Sequence, residues 1–124
     1  VKKVVTTTSI DVQVYCLFLI ATTWRKLEEH HKALTCYNEV LKFSPNSACA
    51  FNHKGDTFYE LHLYPDALEN YSKAIELEPN HQLAHNNKGV TLHDMKRHLE
   101  AIECYDNAIL ANPGDPSPYY NRAI

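Results

Sequence analysis

Glycine is scarce in this sequence: the chain of 124 residues contains three glycines and six prolines. A β-rich fold with many tight turns needs more glycine, because such turns require positive backbone φ angles. Long apolar runs are also missing. The longest extends from Val14 to Ala21, far short of the roughly 20 residues that cross a bilayer. The composition therefore favours a helical protein, and we expect no membrane partner.

An excess of basic charge is absent as well, since 12 Lys and Arg stand against 15 Asp and Glu, for a net charge of −3. Nucleic-acid binding relies on clustered Lys and Arg, so we expect no nucleic-acid partner. The sequence has no glycine-rich phosphate loop, no Gly-x-Ser-x-Gly and no carboxylate pair that the spacing brings together. We therefore predict a non-enzymatic protein without a cofactor.

No two of the four cysteines form a Cys-x-x-Cys pair, and their spacing indicates neither a disulfide framework nor a zinc site. Reduced thiols are typical of intracellular proteins, so we expect an intracellular, cytoplasmic location. Among eight histidines, His81 and His85 could share one helix face, but no third ligand is placed to complete a site. We predict capping or surface roles for them and no metal.

Prolines reveal an internal repeat, because Pro45, Pro79 and Pro113 are evenly spaced along the chain. Other columns keep the same interval. They are Ala33, Ala67 and Ala101; Tyr37, Tyr71 and Tyr105; Ala21, Gly55, Gly89 and Ala123; and Trp24, Phe58 and Leu92. Agreement of several columns at one period indicates a duplicated structural unit.

Each unit has the spacing of two helices. Phe51, Gly55 and Phe58 stand at i, i+4 and i+7, and a second set repeats this spacing around Tyr71. Pro65 suits the first turn of the second helix. We expect Asn80 to cap the helix that follows Pro79. A glycine in mid-helix costs about 1 kcal/mol relative to alanine, so Gly55 predicts a close approach by a neighbouring helix.

With these columns and this interval the sequence resembles the tetratricopeptide repeat (TPR) family, whose unit is about 34 residues long. The resemblance implies an all-α, right-handed α-solenoid of antiparallel helix pairs. We divide the array into repeats at 14–47, 48–81 and 82–115, with the first helix of a truncated fourth repeat at 116–124. Residues 1–13 form an N-terminal extension that we expect to be frayed or foreign to the natural protein. The opening helix, Val12 to Trp24, is apolar almost all round. This favours packing on both sides, either against an upstream repeat that this sequence does not include or against another chain, as in self-association.

The family resemblance also implies a function: non-catalytic binding of an extended peptide or a partner helix in the concave groove, as a scaffold or adaptor. The implied groove residues are Asn52, His53, Asp56, Tyr59, Asn86, Asn87, His93, Tyr120 and Asn121. Two alternatives stay open, a structural spacer or self-assembly segment of a longer repeat protein, and a regulatory TPR domain excised from an enzyme.

Two properties of the ligand follow from these positions. Asp56, Glu60 and Asp94 lie in the groove row of the second and third repeats without a basic residue, so we expect a neutral-to-basic segment. Some TPR domains hold the C-terminal Glu-Glu-Val-Asp of heat-shock chaperones with a clamp of Lys, Arg and Asn. The matching positions here carry no basic residue, so we expect no such binding. Asn87→Ala should weaken ligand binding with an almost unchanged melting temperature.

Overall fold

Six α-helices make up the part of the chain that the computed structural model describes, residues 2–112, with side chains described for 12–112. The helices are α1 (Lys2–Lys26), α2 (His30–Phe43), α3 (Ala48–Glu60), α4 (Tyr64–Leu77), α5 (Gln82–Asp94) and α6 (His98–Ala111). No strand occurs within that range. The predicted fourth-repeat helix at 116–124 lies outside the described residues.

The helices form three antiparallel pairs, α1 with α2, α3 with α4, and α5 with α6, and successive pairs stack through α2 on α3 and α4 on α5. This is the predicted all-α, right-handed α-solenoid. Helix α1 begins at Lys2, so the helix includes most of the segment assigned to the N-terminal extension. None of the described helices, α1 included, is long and apolar enough to cross a membrane.

A left-handed residue ends the first helix of every pair, at Glu28 (φ 63°), His62 (φ 62°) and Lys96 (φ 67°). In the second pair the N–H of His62 donates to the carbonyl of Tyr59 and the N–H of Leu63 to that of Phe58, both at 2.9 Å. These two bonds satisfy carbonyls that a helix end otherwise leaves unpaired. The chain reverses here and begins the second helix two residues later.

The second helix of the middle pair has Pro65 in its first turn, as predicted. The expected cap at Asn80 is wrong. His81 is the N-cap of α5, and its Nδ1 accepts a hydrogen bond from the N–H of Ala84 at 3.1 Å. Ser47, at the equivalent position of the preceding repeat, caps α3 in the same way through the N–H of Ala50. The register of the repeat therefore identifies the cap better than the preference for asparagine.

Small and aromatic columns interlock at the centre of each pair. Tyr71 of α4 is 1% exposed, and its ring crosses α3 at Gly55. A Cβ at Gly55 would lie 2.6 Å from Cε1 of Tyr71. Gly89 and Tyr105 repeat this arrangement in the third pair. The predicted close approach is therefore made by a tyrosine ring, and this crossing places the Tyr71 hydroxyl at Asp56, the residue after Gly55.

Candidate functional site

The first helices of the three pairs border a cavity of about 220 Å³, on the side where a TPR-like solenoid is concave. Its lining residues are Arg25 from α1; Asp56, Tyr59 and Glu60 from α3; Tyr71 from α4; and Asn87 and Val90 from α5. We call this set the groove cavity. Asp56, Tyr59 and Asn87 are among the groove residues predicted from the sequence, and Glu60 was placed in the same groove row.

Asp56 is the centre of the polar contacts in the groove cavity. Its Oδ1 accepts hydrogen bonds from the Tyr71 hydroxyl at 2.6 Å and from Nδ2 of Asn87 at 3.1 Å. Burial and the Asp56 carboxylate raise the pKa of Tyr71 well above its ordinary value, so the phenol remains a donor. The carboxylate is thus fixed by donors from two other helices.

Arg25 approaches the same carboxylate from α1, and the sequence analysis did not include it. Its Nη1 lies 3.5 Å from Oδ2 of Asp56, and its Nε lies 3.1 Å from Oε1 of Glu60. A signal for it was available, because Arg25, Tyr59 and His93 occupy one column of the repeat. The prediction considered this column only in the second and third repeats. The groove therefore contains a basic residue that partly neutralises its acids.

Polar contacts tie each repeat to the next along this face. Arg25 pairs with Glu60, and at the equivalent position of the following repeat the Tyr59 hydroxyl donates to Oδ2 of Asp94. Burial and the bond to Asp94 raise the pKa of Tyr59 above its ordinary value. Both contacts join a residue of one first helix to a residue of the next. The acids of the groove therefore stabilise the stacking of repeats as well as setting the local charge.

Asn52 and Asn87 differ in role, although both were predicted to face a ligand. Asn52 is only 2% exposed, and its Oδ1 accepts from Nδ2 of Asn87 at 3.3 Å. It is thus placed to orient Asn87. Asn87→Ala would remove a donor from both Asn52 and Asp56. A neutral hydrogen bond contributes about 0.5–1.5 kcal/mol and a bond to a charged group about 1.5–3 kcal/mol. Because Asn87 bridges α3 and α5, we now expect Asn87→Ala to lower the melting temperature as well as to weaken ligand binding.

The other predicted groove residues are more dispersed. The His53 ring stacks on Tyr37 at 5.7 Å between centroids, with its Nδ1 at 3.5 Å from Nη1 of Arg25. His93 packs edge-on against His98 at 5.0 Å, and Asn86 is half-buried on α5. Neither His93 nor Asn86 lines the groove cavity. Tyr120 and Asn121 lie outside the described residues.

The histidines considered as metal ligands have other contacts. Besides the capping role of His81, Nε2 of His85 lies 2.7 Å from the carbonyl oxygen of Pro79, to which it donates. Among the described residues, no group of three or more His, Cys, Asp or Glu side chains is arranged to hold a metal ion. Both histidines thus stabilise the start of α5.

Comparison with known proteins identifies the repeat directly. Two family models match the chain, one described as TPR repeat over residues 55–96 and one as tetratricopeptide repeat over residues 83–115. Together they span residues 55–115, from the middle of α3 to beyond the end of α6, and include both glycine–tyrosine crossings. A comparison with curated proteins gave no match.

Solved structures share the fold. The first TPR of Spaghetti (RPAP3) bound to the HSP90 peptide SRMEEVD has a TM-score of 0.82 at 14% identity, covering 90% of this chain and 88% of that one. The Arabidopsis OM64 TPR domain has 0.82 at 18%, covering 89% and 91%. The Sgt2 TPR domain from Aspergillus fumigatus has 0.83 at 20%, covering 89% and 74%. At these identities the likeness establishes the architecture. The matching family models show that residues 55–115 consist of tetratricopeptide repeats.

Proposed function

We propose that this protein is a non-catalytic protein–protein interaction module, a scaffold or adaptor that binds an extended peptide segment in the groove cavity. The observation that carries the proposal is the convergence of Asp56, Tyr59 and Asn87 on one cavity between consecutive first helices. The solved TPR domain bound to an HSP90 peptide supports this use of the fold. The four cysteines are free thiols, which supports a cytoplasmic location.

The groove cavity offers an extended peptide both hydrogen bonds and contact area. Because Nδ2 of Asn87 is held by Asn52 and Asp56, the remaining capacity of this amide is its Oδ1, which can accept from a backbone N–H. The Tyr59 ring adds a rigid surface at low cost in conformational entropy. Both groups suit a ligand that is recognised through its backbone.

The charge of the site favours a neutral-to-basic segment. Arg25 offsets one of the three carboxylates of Asp56, Glu60 and Asp94, so an acidic excess remains in and beside the groove cavity. Opposite charge in a ligand would increase the rate of association and restrict the choice of partner. Screening by salt should weaken such a complex.

Val90 offers a matched test, because it lines the groove cavity, is half-buried and has an apolar side chain. Peptides would first be selected from a random linear library against the wild-type chain. We expect Val90→Lys to weaken binding of a selected basic peptide by about tenfold or more, equivalent to about 1.4 kcal/mol. Val90→Glu should retain or increase the affinity, since it adds similar bulk with the opposite charge. Calorimetric titration measures both.

The two variants also separate the alternatives. Equal loss in Val90→Lys and Val90→Glu would mean that bulk, not charge, controls binding, and the basic ligand would be ruled out. Equal affinity in both variants and wild type would place the binding site away from the groove cavity. Circular dichroism of each variant checks that the fold is retained.

A chaperone peptide should not bind here, although a structural neighbour contains one. The clamp positions carry Asn52, Asp56, Asn87, Ser117 and Asn121 in one alignment and Phe18, Thr22, His53, Leu83 and Asn87 in the other. Arg25 is already paired with two carboxylates, and Asp56 would repel a terminal carboxylate. We expect no heat of binding with SRMEEVD at ionic strength near 0.1 M; a micromolar isotherm would contradict the assignment of the groove's charge.

A second candidate role is self-assembly, and the surface of α1 favours it. Leu19, Ile20 and Leu27 are 51%, 47% and 63% exposed. Burying such side chains provides about 25 cal/mol per Å² of apolar surface removed from water. Self-association through α1 would give an oligomer in which each subunit keeps its own groove.

A further inference from the structure

One face of α1 carries an uninterrupted row of exposed side chains without a charge. The row, which we call the α1 stripe, ends with Leu27 directly after the helix. Its members are Val12, Cys16, Leu19, Ile20, Thr23 and Leu27. A shallow cavity of about 260 Å³ runs along it, lined by Leu19, Ile20, Thr23, Trp24 and Leu27. Scattered exposed apolar residues are ordinary, but a contiguous apolar patch indicates a contact surface.

The repeat itself shows what kind of element covers this face. Thr57 and Thr91, which share a column of the repeat with Thr23, are both 0% exposed, whereas Thr23 is exposed. Ala50 and Ala84 are likewise 0% exposed, whereas Cys16 in their column is exposed. In those repeats the second helix of the preceding pair packs on the face, α2 on α3 and α4 on α5. Within the described residues no helix occupies that position on α1.

The α1 stripe differs from its counterparts in being more apolar. Leu19 and Ile20 stand where α3 has His53 and Lys54, and where α5 has Asn87 and Lys88. A lysine at this position can place its charge in solvent beside a covering helix. The replacement of polar residues by leucine and isoleucine favours a covering element that is itself apolar along its centre.

The α1 stripe has the same spacing between its residues whether it is followed from Val12 or from Leu27. About a midpoint between Leu19 and Ile20, an antiparallel copy of the helix places Ile20 opposite Leu19, Thr23 opposite Cys16, and Leu27 opposite Val12. Tyr15 and Trp24 beside the stripe also fall opposite each other. A two-fold interface requires such self-complementarity. If one residue of the first copy contacts a second residue of the other copy, that second residue of the first copy must contact the first residue of the other. Helices that follow each other through a short connection, as α2 and α3 do, are likewise antiparallel.

We propose that two copies of this chain associate through the α1 stripe, with their α1 helices antiparallel about a two-fold axis between Leu19 and Ile20. Each α1 then covers the other in the way that α2 covers α3 within one chain. The contact is small and apolar, so we expect a dimer that dissociates on the order of micromolar concentration. No residue lines both the cavity along the α1 stripe and the groove cavity, although Leu19 occupies the repeat column of His53 and Asn87.

Sedimentation equilibrium over a range from micromolar to several hundred micromolar tests the association. We expect a reversible monomer–dimer equilibrium for wild type and a dissociation constant at least about tenfold higher for Ile20→Lys. The second and third repeats have lysine in this column, so the substitution is compatible with the fold. Because of the two-fold axis, each dimer would contain the new charge twice at its interface. Leu99→Lys is the matched control, because Leu99 is 84% exposed on α6; it should leave the equilibrium unchanged.

Cross-linking tests the antiparallel register. In a Cys49→Ser background, which removes the other exposed thiol, Thr23→Cys places a new thiol opposite the partner's Cys16. Oxidised glutathione should then give a covalent dimer much faster than in the same background with Thr23 retained. A wild-type chain that stays monomeric throughout the concentration range would overturn the proposal. So would equal sensitivity to Leu99→Lys, or cross-linking that is independent of Thr23→Cys.

Discussion

Gly55→Ala should lower the free energy of unfolding by about 1–3 kcal/mol, the usual cost of adding a methyl group to a close-packed site. At an exposed position within a helix the same substitution has the opposite effect, because alanine stabilises a helix by about 1 kcal/mol relative to glycine. The new Cβ would lie 2.6 Å from Cε1 and 2.7 Å from Cδ1 of Tyr71. That ring is 1% exposed and its hydroxyl is bonded to Asp56, so it cannot move without breaking the bond. Urea denaturation followed by circular dichroism measures the change.

Two comparisons isolate the cause. Gly89→Ala meets Tyr105 at a similar distance, but α5 has Val90 where α3 has Asp56, so that ring is not held by a carboxylate. We expect the smaller loss in Gly89→Ala. Tyr71→Phe combined with Gly55→Ala should lose less than the sum of the two single changes, because the ring is then free to shift. A rise in stability for Gly55→Ala would mean that helix propensity, not ring packing, controls the position.

The helix pairs and the buried columns could be predicted from the sequence because both depend on the constant interval between equivalent residues of successive repeats. Because the interval is constant, equivalent residues lie on the same face of each helix in every repeat. Tyr71 and Ala67 are buried, as predicted for their columns. Pro65 in the first turn of α4 follows from local backbone chemistry alone. For these features the spacing and the residue type are sufficient.

The contacts between repeats could not be predicted in the same way. A helix face can be read from periodicity, but the reach of Arg25 to Glu60 depends on the offset between stacked helices. The same offset buries Asn52 beneath Asn87. Position in the repeat therefore predicted three residues that line the groove cavity, Asp56, Tyr59 and Asn87. It did not separate side chains that could contact a ligand from those that hold the groove together.

Asp56 belongs to both groups, and Asp56→Ala should have the largest effect among the groove residues. The change would leave the buried Tyr71 hydroxyl and Nδ2 of Asn87 without their shared acceptor and would remove one partner of Arg25. A buried donor left unpaired costs about 1–3 kcal/mol. We therefore expect a loss of about 2–3 kcal/mol in the free energy of unfolding, measured by urea denaturation.

The choice of controls decides whether the carboxylate or its hydrogen bonds are responsible. Asp56→Asn keeps an acceptor for Tyr71 and Asn87 but removes the charge beside Arg25, so it should lose less than Asp56→Ala. Asp94→Ala removes a more exposed acid that accepts from Tyr59, and its loss should stay below about 1 kcal/mol. If Asp56→Ala and Asp94→Ala proved equally mild, the bond from Tyr71 would contribute nothing measurable. The groove would then be held by helix packing alone, and Asp56 would be free to serve a ligand.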